Sequence, residues 1–271
     1  MPTQAEKATA FRDLHERDGA FVIPNPWDVG SAKMLAGLGF EALATTSSGF
    51  AMTLGRNDYK ITREEKLAHC RALTDAVDLP ISGDLEKCFA DDPAGVAETI
   101  KLVAEAGLVG GSVEDATQDA DAPIFPFDAA VARVAAAVEA ARALPFPFIL
   151  TARAEGLLHG GEFDDVIARL KAFEAAGADV LYAPGLRDLE QIKTVCSAVS
   201  KPVNVLNVFV RDASVADMAA AGAKRISVGA GLARAAAGEF LRAAEELRDA
   251  GTHTFVKRAA RGEMDKLLAG R

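Results

Sequence analysis

Short apolar runs alternate along this chain with longer segments whose apolar residues recur at helical spacing. An apolar run of about five residues is typical of a buried strand, and a longer amphipathic segment is typical of a helix. The alternation continues to about residue 250 without a linker. It predicts eight strands, over residues 20–24, 42–46, 80–83, 108–113, 146–151, 178–182, 202–206 and 225–228.

Eight strand–helix units predict an α/β fold, a (β/α)8 barrel of the TIM type. Closure is favoured over an open sheet because it leaves no unpaired edge strand. A helix is predicted over residues 4–17, before the first strand, and a segment with an apolar side follows the eighth unit. We therefore expect a single barrel domain over residues 1–271, with 252–271 as a helical extension that could be exchanged between subunits.

Composition narrows the class of protein. Hydrophobic residues make up 50% of the chain, which is ample for a large core, and the net charge of −9 disfavours nucleic acid or an anionic membrane as partner. Cys70, Cys88 and Cys196 lack a CxxC spacing, which favours a reducing compartment. No signal-like leader or run of ~18 apolar residues is present, so the expected location is the cytoplasm.

Charged residues follow three consecutive predicted strands. Asp84 and Glu86 follow the third strand, Glu114 the fourth and Arg153 the fifth. If these strand ends share one rim of a barrel, the carboxylates repel each other unless a cation lies between them. Mg²⁺ or Mn²⁺ suits such oxygen ligands, and the forked guanidinium of Arg153 suits a carboxylate or phosphoryl group. The pattern therefore predicts a divalent-metal site beside an anion-binding arginine.

Other polar residues fall near the same predicted rim. The backbone N–H groups of a predicted turn over residues 47–50 could bind the anionic end of a substrate. Tyr182 and Asn204 belong to the sixth and seventh strands, and either Tyr182 or His159 could move a proton. Gly229-Ala-Gly231 follows the eighth strand and resembles a barrel phosphate site, although a tight turn explains it equally well.

Each of these residues also has an ordinary structural explanation. An acid at a strand end is equally typical of a helix N-cap, and Arg153 could simply pair with Glu155 or Glu114. A loop acid such as Asp58 is usually solvated, and a lone histidine such as His159 is usually a surface residue. The coincidence of charge after three consecutive strands is what favours a functional site.

At these residues the sequence resembles the isocitrate lyase / phosphoenolpyruvate mutase superfamily over nearly its whole length. The resemblance is carried by Pro-Asn-Pro-Trp-Asp at 24–28, Thr-Ser-Ser-Gly-Phe at 46–50, Ser-Val-Glu-Asp at 112–115 and Thr-Ala-Arg-Ala-Glu at 151–155. It implies a Mg²⁺-dependent barrel that makes or breaks C–C or P–C bonds beside a 2-oxo acid, through an enolate. It also implies a homotetramer with a terminal helix exchanged between subunits.

The resemblance implies a role for each matching residue. Asp84 is expected to bind the metal directly, with Glu86, Glu114 and Asp58 around its water ligands. The resemblance also implies substrate binding by Ser48, Gly49, Phe50 and Arg153, to which position at the rim adds Ser47 and Asn204. The expected catalytic residues are Arg153 and Glu114, with Tyr182 and His159 added from position alone.

The chain departs from the family in the loop after the fourth strand. The lyase branch carries Lys-Lys/Arg-Cys-Gly-His there, with a catalytic cysteine, and the mutase branch carries a Lys-Thr-Asn type loop. Residues 116–126 contain neither cysteine nor histidine, and residues 87–90 read Lys-Cys-Phe-Ala where the family has Thr/Gly-Tyr-Gly. We therefore expect the metal and enolate chemistry to be kept and cleavage of isocitrate by the usual proton donor to be lost.

The expected activity is a lyase or decarboxylase reaction on a small 2-oxo or 2-hydroxy diacid, such as oxaloacetate or an alkylmalate. Three alternatives remain open. The first is a P–C bond enzyme of the mutase or phosphonopyruvate hydrolase kind. The second is a Schiff-base aldolase, for which Lys87 is the only lysine near a strand end. The third is a metal- and oxo-acid-binding protein without turnover.

Overall fold

The computed structural model describes residues 2–260 and 262–269. In this part of the chain the strands form one parallel sheet in the order β1-β8-β7-β6-β5-β4-β3-β2. The Ala44 N–H donates to the Pro24 carbonyl at 3.1 Å, which joins the two ends of the sheet. The predicted barrel is confirmed, with strands β1 (Phe21–Ile23), β2 (Leu43–Ala44), β3 (Ile81–Asp84), β4 (Gly110–Glu114), β5 (Ile149–Arg153), β6 (Val180–Tyr182), β7 (Val203–Leu206) and β8 (Arg225–Ser227).

Helices surround the sheet and cover one of its ends. The helices are α1 (Gln4–Glu16), α2 (Val29–Gly37), α3 (Ser47–Thr53), α4 (Arg63–Ala76), α5 (Pro93–Glu105), α6 (Phe127–Arg142), α7 (Phe163–Ala175), α8 (Leu189–Ala198), α9 (Val215–Ala220), α10 (Gly231–Ala250) and α11 (Glu263–Leu268). Helix α1 packs Phe11 against Phe21, Ile149 and Val180, which begin their strands. The amino end of the barrel is therefore closed, and any site must open at the carboxyl end.

The inside of the barrel is unusually polar. Successive strand residues face opposite sides of the sheet, so Leu150, Leu181 and Ile226 pack outward against the helices while their neighbours point inward. Barrel interiors of this fold are normally filled by Val, Ile and Leu. Here the residues that line an internal cavity include Ser82, Ser112, Asn204, Arg225 and Ser227.

Two predictions of local structure need comment. The Ser-Ser-Gly-Phe segment at 47–50 is not a turn but the first turn of α3, because the Thr46 side chain caps this helix by accepting from the Gly49 N–H. The C-terminal segment contains α11, which packs on α2 of the same chain: a Cβ at Gly37 would lie 2.6 Å from Leu267 Cδ2. Exchange of this segment between subunits, and the tetramer, stay predictions.

None of the helices within residues 2–260 and 262–269 is both long and apolar enough to cross a bilayer.

Candidate active site

Arg153 is the centre of a charged cluster at the carboxyl end of the barrel. Its Nη1 donates to Asp84 Oδ1 at 2.6 Å, its Nη2 lies 3.1 Å from Glu114 Oε2, and its Nε donates to Glu155 Oε1 at 2.8 Å. The sheet register explains the meeting, since Arg153 pairs with Glu114 on the adjacent strand. Burial alone would lower the pKa of Arg153, but the surrounding carboxylates raise it well above its usual value. The cluster predicted from three strand ends therefore exists.

Asp84 is held as an ionised carboxylate. Its Oδ2 accepts from both the N–H and the hydroxyl of Ser47, at 2.8 and 2.7 Å. Burial alone would raise the pKa of Asp84, but the charges of Arg153 and Lys66 hold it below the usual value. A carboxylate has about four lone-pair positions, and these three hydrogen bonds leave one of them open on Oδ1.

Three neighbouring carboxylates carry oxygens that nothing satisfies. Glu86 Oε1, Glu114 Oε1 and Glu155 Oε2 are buried without a hydrogen-bond partner among the described residues. Burial and the charge of Asp84 raise the pKa of Glu86 from 4.5 to about 7, and burial raises that of Glu114 well above its usual value. Orphaned buried oxygens of this kind fit a hard cation or its water ligands.

The coordination sphere of such a cation is not preformed. Within residues 2–260 and 262–269, no three His, Cys, Asp or Glu side chains are arranged as ready metal ligands. The reason is visible in the cluster, where the Arg153 guanidinium lies between Asp84 and Glu114 and neutralises both. The donor set thus fits Mg²⁺ or Mn²⁺ chemically, and binding requires these side chains to rearrange.

A cavity of about 430 Å³ adjoins the cluster. Its polar walls come from most of the residues predicted from sequence, which are Ser47, Ser48, Asp58, Asp84, Glu114, Arg153, Tyr182 and Asn204. Glu86 is only 2% exposed and does not line the cavity, so it lies behind the residues of the cavity wall. Desolvation and the charge of Asp84 raise the pKa of Asp58.

Gly49 and Phe50 do not line the cavity, so the substrate-binding role predicted for them is not supported. A Cβ at Gly49 would lie 2.7 Å from Thr46 Cγ2, which makes this glycine a packing residue. The Phe50 ring stacks on His69 at 3.9 Å, and its N–H donates to the Thr46 carbonyl. Both N–H groups are used within the capped helix. The cavity is lined instead by Thr46, Ser47 and Ser48, from the first part of the motif, and by Thr45 before it.

Three further residues from the sequence analysis are either outside the cavity or already hydrogen-bonded to protein groups. His159 ends an exposed 3₁₀ turn and Leu158, its neighbour, lines the cavity instead. Asn204 lines the cavity, but its amide donates to Ser227 Oγ at 3.0 Å and accepts from Arg225 Nε at 2.8 Å. Lys87 donates to Asp91 at 2.5 Å, and no lysine is among the lining residues of the described chain, so the Schiff-base alternative has no nucleophile at the cavity.

Sequence reasoning missed Tyr59, Lys66, Arg133 and Arg225. Tyr59 lines the cavity with a left-handed backbone, φ 60°, and only its position beside Asp58 could have indicated it. Lys66 is fully buried on α4 and donates to Thr45 Oγ1 at 2.8 Å, which also accepts from the Asp84 N–H. A lysine on the apolar face of a predicted helix was the available signal.

Arg133 supports the cluster from α6. This fully buried guanidinium donates to the carbonyls of Glu114 at 2.9 Å, Lys87 at 2.5 Å and Ala90 at 3.0 Å. It also lies 4.1 Å from the centre of the Phe125 ring. Arg133 therefore joins the end of β4 to the loop after β3, which carries Glu86.

Comparison with known proteins identifies relatives of this chain. A protein from Burkholderia cenocepacia J2315 that is described only as a lyase/mutase has 56% sequence identity, a TM-score of 0.95, and coverage of 98% of this chain and 96% of that one. Protein Rv1998c of Mycobacterium tuberculosis, which is uncharacterised, is 30% identical over 81% of each chain. An oxaloacetate decarboxylase of Paraburkholderia xenovorans is 30% identical over 71% of this chain and 66% of its own length.

A more distant structure shares the fold. Phosphonopyruvate hydrolase, solved in complex with oxalate and Mg²⁺, has a TM-score of 0.86 at 21% identity and covers 97% of this chain and 95% of that one. At this identity the likeness concerns the fold alone. The model of the phosphoenolpyruvate phosphomutase family matches residues 11–248, which include every strand of the barrel and the whole charged cluster. The chain therefore belongs to the phosphoenolpyruvate phosphomutase family, within the isocitrate lyase / phosphoenolpyruvate mutase superfamily.

Proposed function

We propose that this protein is a divalent-metal-dependent carbon–carbon lyase or decarboxylase acting on a small 2-oxo or 2-hydroxy diacid. Oxaloacetate and alkylmalates are the model substrates. One observation carries the proposal: Asp84, Glu114 and Arg153, from three adjacent strands, meet beside one cavity at the open end of the barrel. The similarity to an oxaloacetate decarboxylase supports the choice of substrate class.

Asp84, through Oδ1, and Glu86, Glu114 and Asp58, through water, would hold Mg²⁺ or Mn²⁺. When bound, the ion supplies Lewis-acid stabilisation of the negative charge that develops on the 2-oxo oxygen. Arg153 has five N–H donors, and the cluster uses three of them, so two remain for a substrate carboxylate. In the metal-free state its three carboxylate contacts hold the guanidinium at the cavity, and those to Asp84 and Glu114 would rearrange when the ion binds.

The proton that ends the reaction requires a donor at the cavity. Residues 116–126 supply neither cysteine nor histidine, and His159 lies outside the cavity. The two tyrosines of the chain, Tyr59 and Tyr182, both line it. Desolvation raises the pKa of each phenol, so both stay protonated at neutral pH, and each would give up its proton only to a strong base such as a carbanion.

The test is turnover of a panel of 2-oxo and 2-hydroxy diacids by the purified protein, followed by chromatography of the products. We expect turnover of at least one diacid, loss of turnover with EDTA, and recovery with Mg²⁺. Asp84→Asn should abolish it, whereas Asp13→Asn, on the exposed side of α1, should not. Turnover that persists in EDTA or in a folded Asp84→Asn protein contradicts the proposal.

Two outcomes would identify the alternatives. Phosphorus NMR that shows cleavage or rearrangement of phosphonopyruvate, with no diacid turned over, indicates a P–C bond enzyme. Absence of all turnover, together with thermal stabilisation by oxalate plus Mg²⁺, indicates a binding protein without catalysis.

A further inference from the structure

A second arginine reaches the cavity without any acidic partner. Arg225 begins β8, is 5% exposed and lines the cavity. Its Nε donates to Asn204 Oδ1 at 2.8 Å and its Nη2 donates to Thr151 Oγ1 at 3.0 Å, and both acceptors are neutral. Its Nη1 is buried and has no hydrogen-bond partner within residues 2–260 and 262–269.

The charge of Arg225 is not balanced by the acids of the site. Asp84, Glu114 and Glu155 pair with Arg153, and none of the described carboxylates lies within ion-pair distance of Arg225. Burial lowers the pKa of Arg225 to about 10, so the side chain is still charged at neutral pH. A buried charge without a counter-ion is strongly disfavoured, so its presence at a cavity wall indicates an anionic ligand.

The position of Arg225 suits the far end of a bound diacid. Its side chain crosses the barrel interior from β8 to Thr151 on β5, and Thr151 lies two residues before Arg153 on the same strand. Two strand residues rise about 7 Å, so Arg225 lies roughly one layer below the charged cluster and forms the floor of the cavity. A four-carbon chain with a hydrogen-bonded carboxylate at each end can bridge two donors at this separation.

We propose that Arg225 is the subsite for the second carboxylate of the substrate, so that the protein selects 2-oxo acids that carry a carboxylate at each end. This inference rests on the proposed function, because the first carboxylate is taken to bind beside Arg153. Asn204 and Thr151 fix two edges of the guanidinium through neutral acceptors, so its positive charge is left for the ligand. Arg225 thus determines specificity and does not take part in bond cleavage.

The experiment compares two probes by isothermal titration calorimetry in the presence of Mg²⁺. Oxalate has two adjacent carboxylates, which occupy only the metal-binding end, whereas 3,3-difluorooxalacetate carries a further carboxylate at the far end of its four-carbon chain. In Arg225→Gln we expect an unchanged oxalate Kd and a difluorooxalacetate Kd about ten- to a hundredfold higher, the loss of one charged hydrogen bond. Arg225→Lys keeps the charge and guards against misfolding of the glutamine variant, and it should weaken the second probe less.

Arg234 provides the matched control, because it also lines the cavity but from α10 at the exposed end. Arg234→Gln should leave the preference for the second probe intact. If Arg234→Gln removes that preference and Arg225→Gln does not, the second carboxylate binds at Arg234 and the inference is overturned. Equal losses for both probes in the Arg225 variants indicate a purely structural residue and also overturn it.

The same titrations separate this inference from the proposed function. A wild-type protein that binds neither probe with Mg²⁺ contradicts both. Suppose that the wild type binds oxalate and turns over a diacid, but that the Arg225 variants bind both probes as the wild type does. This result contradicts the role of Arg225 and leaves the proposed function intact.

Discussion

Arg153 Nη1 lies 2.6 Å from Asp84 Oδ1, so an arginine that ends β5 and an aspartate that ends β3 meet across the strand between them. Glu114, which ends that intervening strand, lies 3.1 Å from the other Nη of the same guanidinium. The side chains of Arg153 and Asp84 are only 14% and 20% exposed. In this state the guanidinium provides the positive charge that a bound divalent ion would also provide.

Arg153→Met should therefore destabilise the protein and make its stability depend more strongly on Mg²⁺. Removal of one partner of a buried ion pair costs about 3–5 kcal/mol, because the remaining charges are left unpaired. Urea denaturation should show this loss, and added Mg²⁺ should raise the Tm of the variant more than that of the wild type. Arg142→Met, which breaks the more exposed pair with Asp179, is the control and should show no added response to Mg²⁺. An unfolding free energy equal to that of the wild type would contradict this account.

Glu86→Gln should stabilise the metal-free protein at pH 8 but not at pH 5. Burial and Asp84 raise the pKa of Glu86 from 4.5 to about 7, so the folded state holds this proton more tightly than the unfolded state. That stability is fully present below pH 4.5 and is lost as the pH rises through 7, a difference of about 3 kcal/mol. The amide cannot ionise, so the variant avoids the loss.

The measurement is urea denaturation of wild type and variant between pH 5 and pH 8 without divalent ions. Glu41→Gln is the control, because the hydrogen bond from Arg17 lowers the pKa of Glu41 and this variant should gain nothing as the pH rises. A gain for Glu86→Gln that is the same at both pH values would show that ionisation is not its cause.

The barrel and the charged rim could be predicted because both depend on local periodicity. The alternation of apolar runs with helical segments determines the strands, and parallel strands necessarily bring their carboxyl ends to one side. Asp84, Glu114 and Arg153 are the last residues of their strands, so their meeting follows from the topology alone. No side-chain detail was needed for that inference.

Side-chain direction and reach could not be predicted from the sequence. Gly49 and Phe50 belong to a motif beside the cavity, but the Thr46 cap turns them into a helix that faces His69 and Trp27. Spacing along the chain does not indicate which face of such a helix points to the site. Lys66 and Arg225 reach their partners from a helix and from the start of a strand, and long side chains of this kind can end far from their own Cα.

Arg133→Met should weaken both the fold and the binding of Mg²⁺. The loop that Arg133 binds contains Glu86, Cys88 and Phe89 at φ 52°, 60° and 54°, backbone conformations that cost of order 1–3 kcal/mol each. Loss of the hydrogen bonds from the guanidinium should lower the unfolding free energy by about 3 kcal/mol and leave Glu86 less well positioned. Urea denaturation and a Mg²⁺ titration would measure the two effects. Arg71→Met, at an exposed position of α4, is the control, and normal Mg²⁺ affinity in the Arg133 variant would contradict the positioning role.

Tyr59→Phe should slow the proton transfer without weakening the binding of ligand. The Tyr59 phenol lies at the cavity near Glu114 and Glu155, whose charges add to desolvation in raising its pKa, so it remains a protonated donor at neutral pH. Loss of a general acid typically slows a reaction about 10²- to 10⁴-fold. Exchange of the methyl protons of pyruvate with D₂O, followed by proton NMR in the presence of Mg²⁺, measures this step without knowledge of the natural substrate. Calorimetry with oxalate should give the wild-type Kd.

Tyr182→Phe is the informative comparison for Tyr59→Phe. The Tyr182 ring packs under the Arg153 guanidinium at 5.2 Å, so this side chain is engaged before a substrate arrives. Its removal should slow exchange less than removal of the Tyr59 phenol, whose backbone is held at φ 60° beside the cavity. If Tyr182→Phe abolishes exchange and Tyr59→Phe leaves it intact, the proton comes from Tyr182 on β6. Tyr59, in the loop after α3, then has no catalytic role.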